Sequence, residues 1–262
     1  MKKYLFLGIM GAVASFTNSC SSDDNDSPKK LLLSKATINY YDYSPNPIPE
    51  DIIYAYNNNG EVIKIESRFS TTTFEYSNGK IVKSKYYAKE QKLESNSVYN
   101  YNGDQLVNVQ YITPNSADKS TMTYGYDVNG KMISSTHCES ADCDYPTTFS
   151  ITYNGDNVSS ETSTFALGGS SHKSEFTYDN KLSPYTNLNK YLRITMGGAY
   201  GISVNNYTTE KISNKDSAGN WKQGQFITYK IQYNSSQLPV QIIGTEANGK
   251  KYVQYDYEYI SQ

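Results

Sequence analysis

The stretch YSNGKIVKSKYY, residues 76–87, decides the fold. A tyrosine comes first, then Ser-Asn-Gly, then an aliphatic residue five places after the tyrosine. Asn and Gly tolerate the left-handed backbone that tight hairpin turns demand. Tyr76 and Ile81 therefore flank a reverse turn and face each other across it. The phrase recurs at Tyr56, Tyr101, Tyr126, Tyr153, Tyr178 and Tyr233, and the first six tyrosines stand 20, 25, 25, 27 and 25 residues apart. Two places before them stand Tyr54, Phe74, Tyr99, Tyr124, Ile151, Phe176 and Ile231. A spacing of two puts both side chains on one face of a strand. The aliphatic residue after the turn is Val62, Ile81, Leu106, Met132, Val158, Leu182 or Leu238. Each phrase thus reads as one hairpin, clasped by a cross-strand pair contributing about 0.2–1 kcal/mol.

Repetition of this unit predicts an all-β chain, an antiparallel meander of repeated β-hairpins over residues 31–262, with roughly 14–16 strands at two per unit. Open sheets rarely pass about 10 strands without curling or splitting, so a strongly coiled sheet or two packed sheets is expected. Adjacent apolar residues such as Ile81-Val82 and Leu106-Val107 point to opposite faces of a regular strand, which implies cover on both faces and favours curling. One non-repeat insertion breaks the array, at about residues 184–206. Pro184 ends the second strand of the Tyr178 unit. Ser183-Pro184 suits the start of a short helix with Leu188, Tyr191 and Leu192 on one face. The insertion reads as a plug over the sheet or as a grafted ligand site, with Tyr185, Tyr191 and Tyr200 as its candidate contacts.

Composition fits a thin core. Tyr occurs 27 times, against 8 Phe and 1 Trp, and Tyr pairs an apolar ring with a hydroxyl that seeks a partner. The formal charge is −2; without Lys2 and Lys3 the 24 basic residues fall to 22 against 26 acidic, or −4. No basic stripe marks a nucleic-acid surface.

At the N-terminus, Lys2 and Lys3 precede a mostly apolar run from Tyr4 to Phe16, 13 residues long. A bilayer-spanning helix takes about 20 residues, so the run reads as the apolar region of an export signal over residues 1–19. Ordinary secretion would cleave near Ser15 or Ser19; a lipoprotein signal would make Cys20 the acylated first residue. SSDDNDSPKK, residues 21–30, has no aliphatic side chain to bury and reads as a disordered tether, counted from Cys20 to residue 30.

SC-SSDDND, residues 19–26, resembles the start of Bacteroidetes lipoproteins, in which an acidic patch behind the lipidated cysteine accompanies display on the outer cell surface. The repeat resembles the RHS/YD repeat: tyrosine, aspartate or asparagine, a glycine, then an aliphatic residue. Together these look like Bacteroidetes cell-envelope lipoproteins of unknown function. The resemblance implies an outer-membrane location and a lipid anchor on Cys20 as the membrane partner; separately, a monomer is expected. Long YD-repeat proteins wrap a shell around a toxin, for which seven or eight units are too few.

The remaining chemistry is sparse. Cys138 and Cys143 lie in HCESADCDYP. In an exported chain they read as a disulfide rather than as metal ligands beside His137, Asp142 or Asp144, since no second ligand pair stands at zinc-site spacing. His172 follows Ser170 and Ser171, but no nucleophile elbow accompanies it. No phosphate loop, dinucleotide fingerprint or zincin motif is present, so no cofactor, metal or catalytic residue is assigned. The carboxylates Glu66, Glu75, Glu161 and Asp179 are scattered along strands, whereas a glycosidase sets two across one cleft. Trp221, near a hairpin tip, suits stacking on a sugar ring or simply starting a return strand. Asp216-Ser217-Ala218 resembles the O-glycosylation signal of exported Bacteroidetes proteins, with Ser217 as acceptor. The expectation is a non-catalytic, surface-displayed protein binding a glycan or envelope protein through its tyrosine-rich sheet. A purely structural envelope component is the alternative, and a hydrolase the weakest reading.

Overall fold

The computed structural model describes residues 30–262 except 43, 115, 117, 118 and 168; the export-signal and Cys20 readings and the tether up to residue 29 lie outside the described residues, while Lys30, counted in the tether, exchanges backbone hydrogen bonds with Gln262. Sixteen strands are described: β1 (Leu31–Tyr40), β2 (Glu50–Tyr56), β3 (Val62–Glu66), β4 (Ser70–Ser77), β5 (Lys80–Ala88), β6 (Leu93–Asn102), β7 (Gln105–Ile112), β8 (Lys119–Tyr126), β9 (Met132–Cys138), β10 (Thr147–Asn154), β11 (Asn157–Phe165), β12 (Ser171–Leu182), β13 (Asn205–Lys215), β14 (Trp221–Tyr233), β15 (Pro239–Glu246) and β16 (Lys251–Ser261). Each pairs antiparallel with its chain neighbours, and β1 pairs with β16. The meander is as expected, but it closes into a single barrel rather than remaining a coiled sheet or splitting into two packed sheets. Closure satisfies both edges that an open sheet would leave unpaired.

The tyrosine phrase builds one end of this barrel. Tyr56 faces Val62, Tyr76 faces Ile81, Tyr101 faces Leu106, Tyr126 faces Met132 and Tyr153 faces Val158. Each hydroxyl then reaches back one hairpin. Tyr76 donates to the Val62 carbonyl, Tyr101 to Ile81, Tyr126 to Leu106, Tyr153 to Met132 and Tyr178 to Val158, at 2.6–2.9 Å. Tyr56 to Leu33 and Tyr259 to Pro239 extend the chain of contacts across the closure. The clasp is therefore double: the ring packs within its hairpin and the hydroxyl ties that hairpin to the one before it. At the β4–β5 turn, Asn78 (φ 50°) and Gly79 (φ 73°) both occupy the left-handed region, as a two-residue hairpin requires.

Beside each clasp the register slips by one residue, at Leu33/Lys35, Ala55/Tyr56, Glu75/Tyr76, Asn100/Tyr101, Gly125/Tyr126, Thr152/Tyr153, Thr177/Tyr178 and Gln232/Tyr233. Val82 and Val107 are the extra residues of two such bulges. The apolar pairs Ile81-Val82 and Leu106-Val107 thus arise from bulges, not from strands covered on both faces. A bulge bends its strand and increases twist, and eight in the same phase curve the sheet toward closure.

Two further expectations are corrected. β12 runs unbroken to Leu182, which pairs with Asn205 of β13, so Tyr178-Asp-Asn-Lys-Leu is not a hairpin. Tyr178 faces Tyr207 instead. The partner of Tyr233 is Pro239, not Leu238, because its turn is one residue longer and Asn234 accepts the N–H groups of Ser236 and Leu238.

Candidate functional site

The side chains alternate with unusual segregation. Leu33, Tyr54, Val62, Phe74, Ile81, Tyr99, Leu106, Tyr124, Ile151, Val158, Ile227 and Val253 form the buried lining. The outer face carries ion pairs part-way along the strands: Lys35 with Asp51, Lys85 with Glu75, and Glu175 between Lys173 and Lys211. Thr71, Thr73, Thr121, Thr123, Thr162 and Thr164 stand on the same outer face. A barrel that spans a bilayer presents an apolar outer band about 25 Å tall between aromatic girdles. This one has the reverse polarity: its outside suits water and its inside suits apolar matter.

A barrel of sixteen strands is too wide for wall side chains alone to fill. The insertion between β12 and β13 stops one end. It contains α1 (Lys190–Met196) and α2 (Gly198–Ile202). Pro184 does not open the helix; Asn189 caps α1, accepting the Tyr191 N–H. Tyr185, Leu188, Tyr191, Leu192 and Ala199 are buried in the lumen, each large apolar side chain contributing about 1.5–3 kcal/mol. Polar contacts run to the wall on several sides: Asn187 to the Leu31 carbonyl, Asn189 to the Gly79 carbonyl, Tyr191 and Lys190 to Asp104. The Asn157 side-chain oxygen Oδ1 accepts the Val204 and Asn205 N–H groups. Arg193 binds the carbonyls of Gly201, Ile202 and Ser203, tying α1 to the exit of α2. The insertion is thus a plug. At the other end the inward-facing Tyr40 and Tyr86 remain 46% and 41% exposed, so solvent enters the lumen there.

Beneath the plug is a cavity of about 240 Å³ lined by Met122, Tyr124, Met132, Phe149, Ile151 and Met196, with Glu161 at its polar side. The repeat shows why Glu161 stands out. The residue three after each turn-following residue faces inward and pairs with the residue two before the clasp tyrosine. The pairs are Tyr54/Ile65, Phe74/Ser84, Tyr99/Val109, Tyr124/Ser135, Ile151/Glu161, Phe176/Glu210, Ile231/Ile242 and Tyr257/Ala36. Six of these eight equivalent positions hold small or apolar residues, and β11 and β13, the two strands flanking β12, put a carboxyl there. Glu161 Oε2 accepts the Ala199 N–H at 3.0 Å, and no hydrogen bond to Oε1 is made among the described residues. Burial, offset by that N–H and reinforced by Glu210, pushes the Glu161 carboxyl up to about 7. Burial also raises Glu210, whose oxygens accept from the hydroxyls of Ser174 (3.1 Å) and Tyr229 (2.9 Å).

The residues proposed from sequence fall elsewhere. Tyr185 and Tyr191 are plug anchors: Tyr185 packs on Tyr257 and Tyr200, and Tyr191 sits edge-on to Tyr101. Tyr200 donates to the Met196 carbonyl. Trp221 starts β14 at the open end, 38% exposed, with the ammonium groups of Lys173 and Lys215 5.3 and 5.9 Å from its ring. Cys138 and Cys143 are bonded to each other across the β9–β10 loop. Ser217 is exposed at the β13–β14 tip, beside Asp216, whose carboxylate accepts the Ala218 and Asn220 N–H groups. Glu66 and Glu75 lie in outer ion pairs, and Asp179 accepts the Tyr233 hydroxyl. Glu161 is legible on aligning the hairpins three residues past the turn, whereas Glu210 follows the plug insertion and falls out of that alignment.

Among solved structures the chain is similar to a porin-like protein from Bacteroides uniformis, with 14% identity, a TM-score of 0.57, and coverage of 87% of this chain and 98% of that one. A porin-like protein from Bacteroides vulgatus matches with 14% identity, a TM-score of 0.45, and coverage of 88% and 99%. The first likeness establishes a shared fold. No protein-family model matches the chain, and no curated protein matches it.

Proposed function

We propose that this chain is a non-catalytic, lipid-anchored protein of the bacterial envelope, and that its plugged barrel encloses a small ligand. The observation that carries this reading is the polarity: apolar and phenolic side chains line the lumen, while ion pairs and hydroxyls cover the outside. A channel needs the opposite arrangement and an open path, and here a plug crosses the lumen. The fold shared with a Bacteroides porin-like protein and the Cys20 signal support an envelope location. The chain enters beside the plug, where Lys30 and Gln262 exchange backbone hydrogen bonds at 2.8 and 3.0 Å. Ten residues of tether from Cys20 reach at most about 35 Å, which would keep the barrel close to the membrane. Glu210 is hydrogen-bonded at both oxygens and shares one wall with Glu161, an arrangement that supports binding over hydrolysis.

The test has two parts. Labelled palmitate should enter the full chain and be lost on Cys20→Ala. Purified residues 31–262 should stay monodisperse without detergent and open no conductance in a planar bilayer; stable channels would refute the container reading. A second reading, glycan binding, draws on exposed aromatic residues at the open rim, Trp221 and Tyr145 (65% exposed). It predicts glycan-array signal that Trp221→Ala abolishes. Silence in both glycan and small-molecule assays would leave the purely structural role.

A further inference from the structure

We infer that the cavity beneath the plug takes a small organic cation, an amine carried on an aromatic or aliphatic body. This rests on the enclosed-ligand reading and names the class of ligand. The size fits: an apolar cavity of 150 Å³ holds benzene, so about 240 Å³ accommodates a ring with a short side chain. The lining fits an apolar body, through the thioethers of Met122, Met132 and Met196 and the side chains of Phe149 and Ile151. Among the described residues no lysine or arginine lines it. Arg193, the nearest guanidinium in the plug, is turned to three backbone carbonyls. The polar end fits an ammonium: Glu161 has one oxygen bound to Ala199 and the other without a hydrogen bond among the described residues. The faces of Tyr124 and Phe149 attract cations. An anionic ligand would meet Glu161, with Glu210 on β13 adding to the negative field, and would be excluded.

The groups facing Glu161 are Glu210 on β13, Tyr178 on β12 and Tyr200 on α2. All are acids, so none competes with a bound ammonium for the carboxylate. Binding near pH 7 should hold Glu161 ionised and release its proton to solvent.

Three probes of one shape test the inference on residues 31–262: phenethylamine, 2-phenylethanol and 3-phenylpropionate, titrated calorimetrically in two buffers of different ionisation enthalpy. Phenethylamine should bind about tenfold or more tighter than the alcohol, with proton release, and the propionate should not bind. Glu161→Gln, nearly isosteric, should abolish both the preference and the proton release while the alcohol still binds. Glu210→Gln should weaken the preference less. Equal binding of all three probes, or a preference that survives Glu161→Gln, overturns the cation assignment but leaves an enclosed site. Binding of none, with the methyl NMR signals of Met122, Met132 and Met196 unmoved, overturns the enclosed-ligand reading for this cavity as well.

Discussion

Glu161 makes the barrel less stable as the solution becomes more alkaline, and the size of the effect follows from its surroundings. Its carboxyl rises from 4.5 to about 7 on folding, mainly through burial. The folded state therefore binds the proton more tightly than the unfolded chain. Stability from this group is fully present below about pH 4.5 and is lost as the pH rises through 7. The rise from 4.5 to about 7, at about 1.36 kcal/mol for each tenfold change in proton affinity, corresponds to roughly 3 kcal/mol. Water entering from the open end screens the site, so about 1–3 kcal/mol is expected. Glu210, also raised by burial, adds in the same direction. Asp104, which Lys190 and Tyr191 hold below the usual carboxylate range, acts oppositely in more acid solution. Urea unfolding of residues 31–262 at pH 5, 6, 7 and 8 should show falling stability across that series. Glu161→Gln should flatten the slope and exceed wild type at pH 8. If the variant keeps the wild-type slope, the carboxyl is not desolvated by the plug and the geometry of the site is wrong.

Other consequences are more local. Tyr126→Phe removes the bond to the Leu106 carbonyl (2.8 Å) and should cost about 1 kcal/mol in urea unfolding, whereas Tyr126→Ala should cost roughly 3 kcal/mol or more. A β-carbon at Gly201 would lie 2.9 Å from the Arg193 carbonyl oxygen and 3.1 Å from the Met196 β-carbon. Gly201→Ala should therefore cost about 1–3 kcal/mol and speed hydrogen exchange at Ala199 and Val204 more than at strand amides far from the plug. Loss of the bond between Cys138 and Cys143, a separation of 5 residues, should cost about 2 kcal/mol or less in a Cys138→Ser, Cys143→Ser variant, with the melting transition still cooperative.

Turns, strand direction and the clasp were legible because they are local. Tyr, Asn-Gly and an aliphatic residue lie within a few positions, and both conformational preference and cross-strand packing act at that range. The bulges were not legible, and they cost the reading its site. Strict alternation from the inward Val158 sends Ser160 inward and Glu161 out. The extra residue at Ser159 reverses this and turns Glu161 into the lumen opposite Ile151. Ile81-Val82 is compatible with a bulge or with cover on both faces, and only the partner strand decides. Closure likewise has no local signal: it depends on β1 meeting β16, more than 200 residues away in the chain. The Tyr178 phrase misled for a related reason. Asp-Asn resembles a turn, but the hydrogen bonds that Asn205 and Asn206 make to Lys181 and Leu182 hold that stretch extended until the plug begins.

The bulges also decide what kind of barrel this is. Side chains alternate with a period of two, so a shift of one residue moves every apolar side chain to the other face. The same sixteen-stranded closure can therefore make a pore in lipid or a container in water, and likeness of fold does not choose between them. Here each slip beside a clasp keeps the tyrosine and the residue facing it inside, and keeps the following strand's apolar positions inside as well. Without the slips, Lys83, Asn108 and Ser134 would turn toward the lumen in place of Ser84, Val109 and Ser135. The inner wall would then be mixed in polarity, and the plug, with Leu188, Tyr191 and Leu192 buried against it, would lose the apolar surface that holds it. The bulge is thus the element on which curvature, plug and cavity all depend.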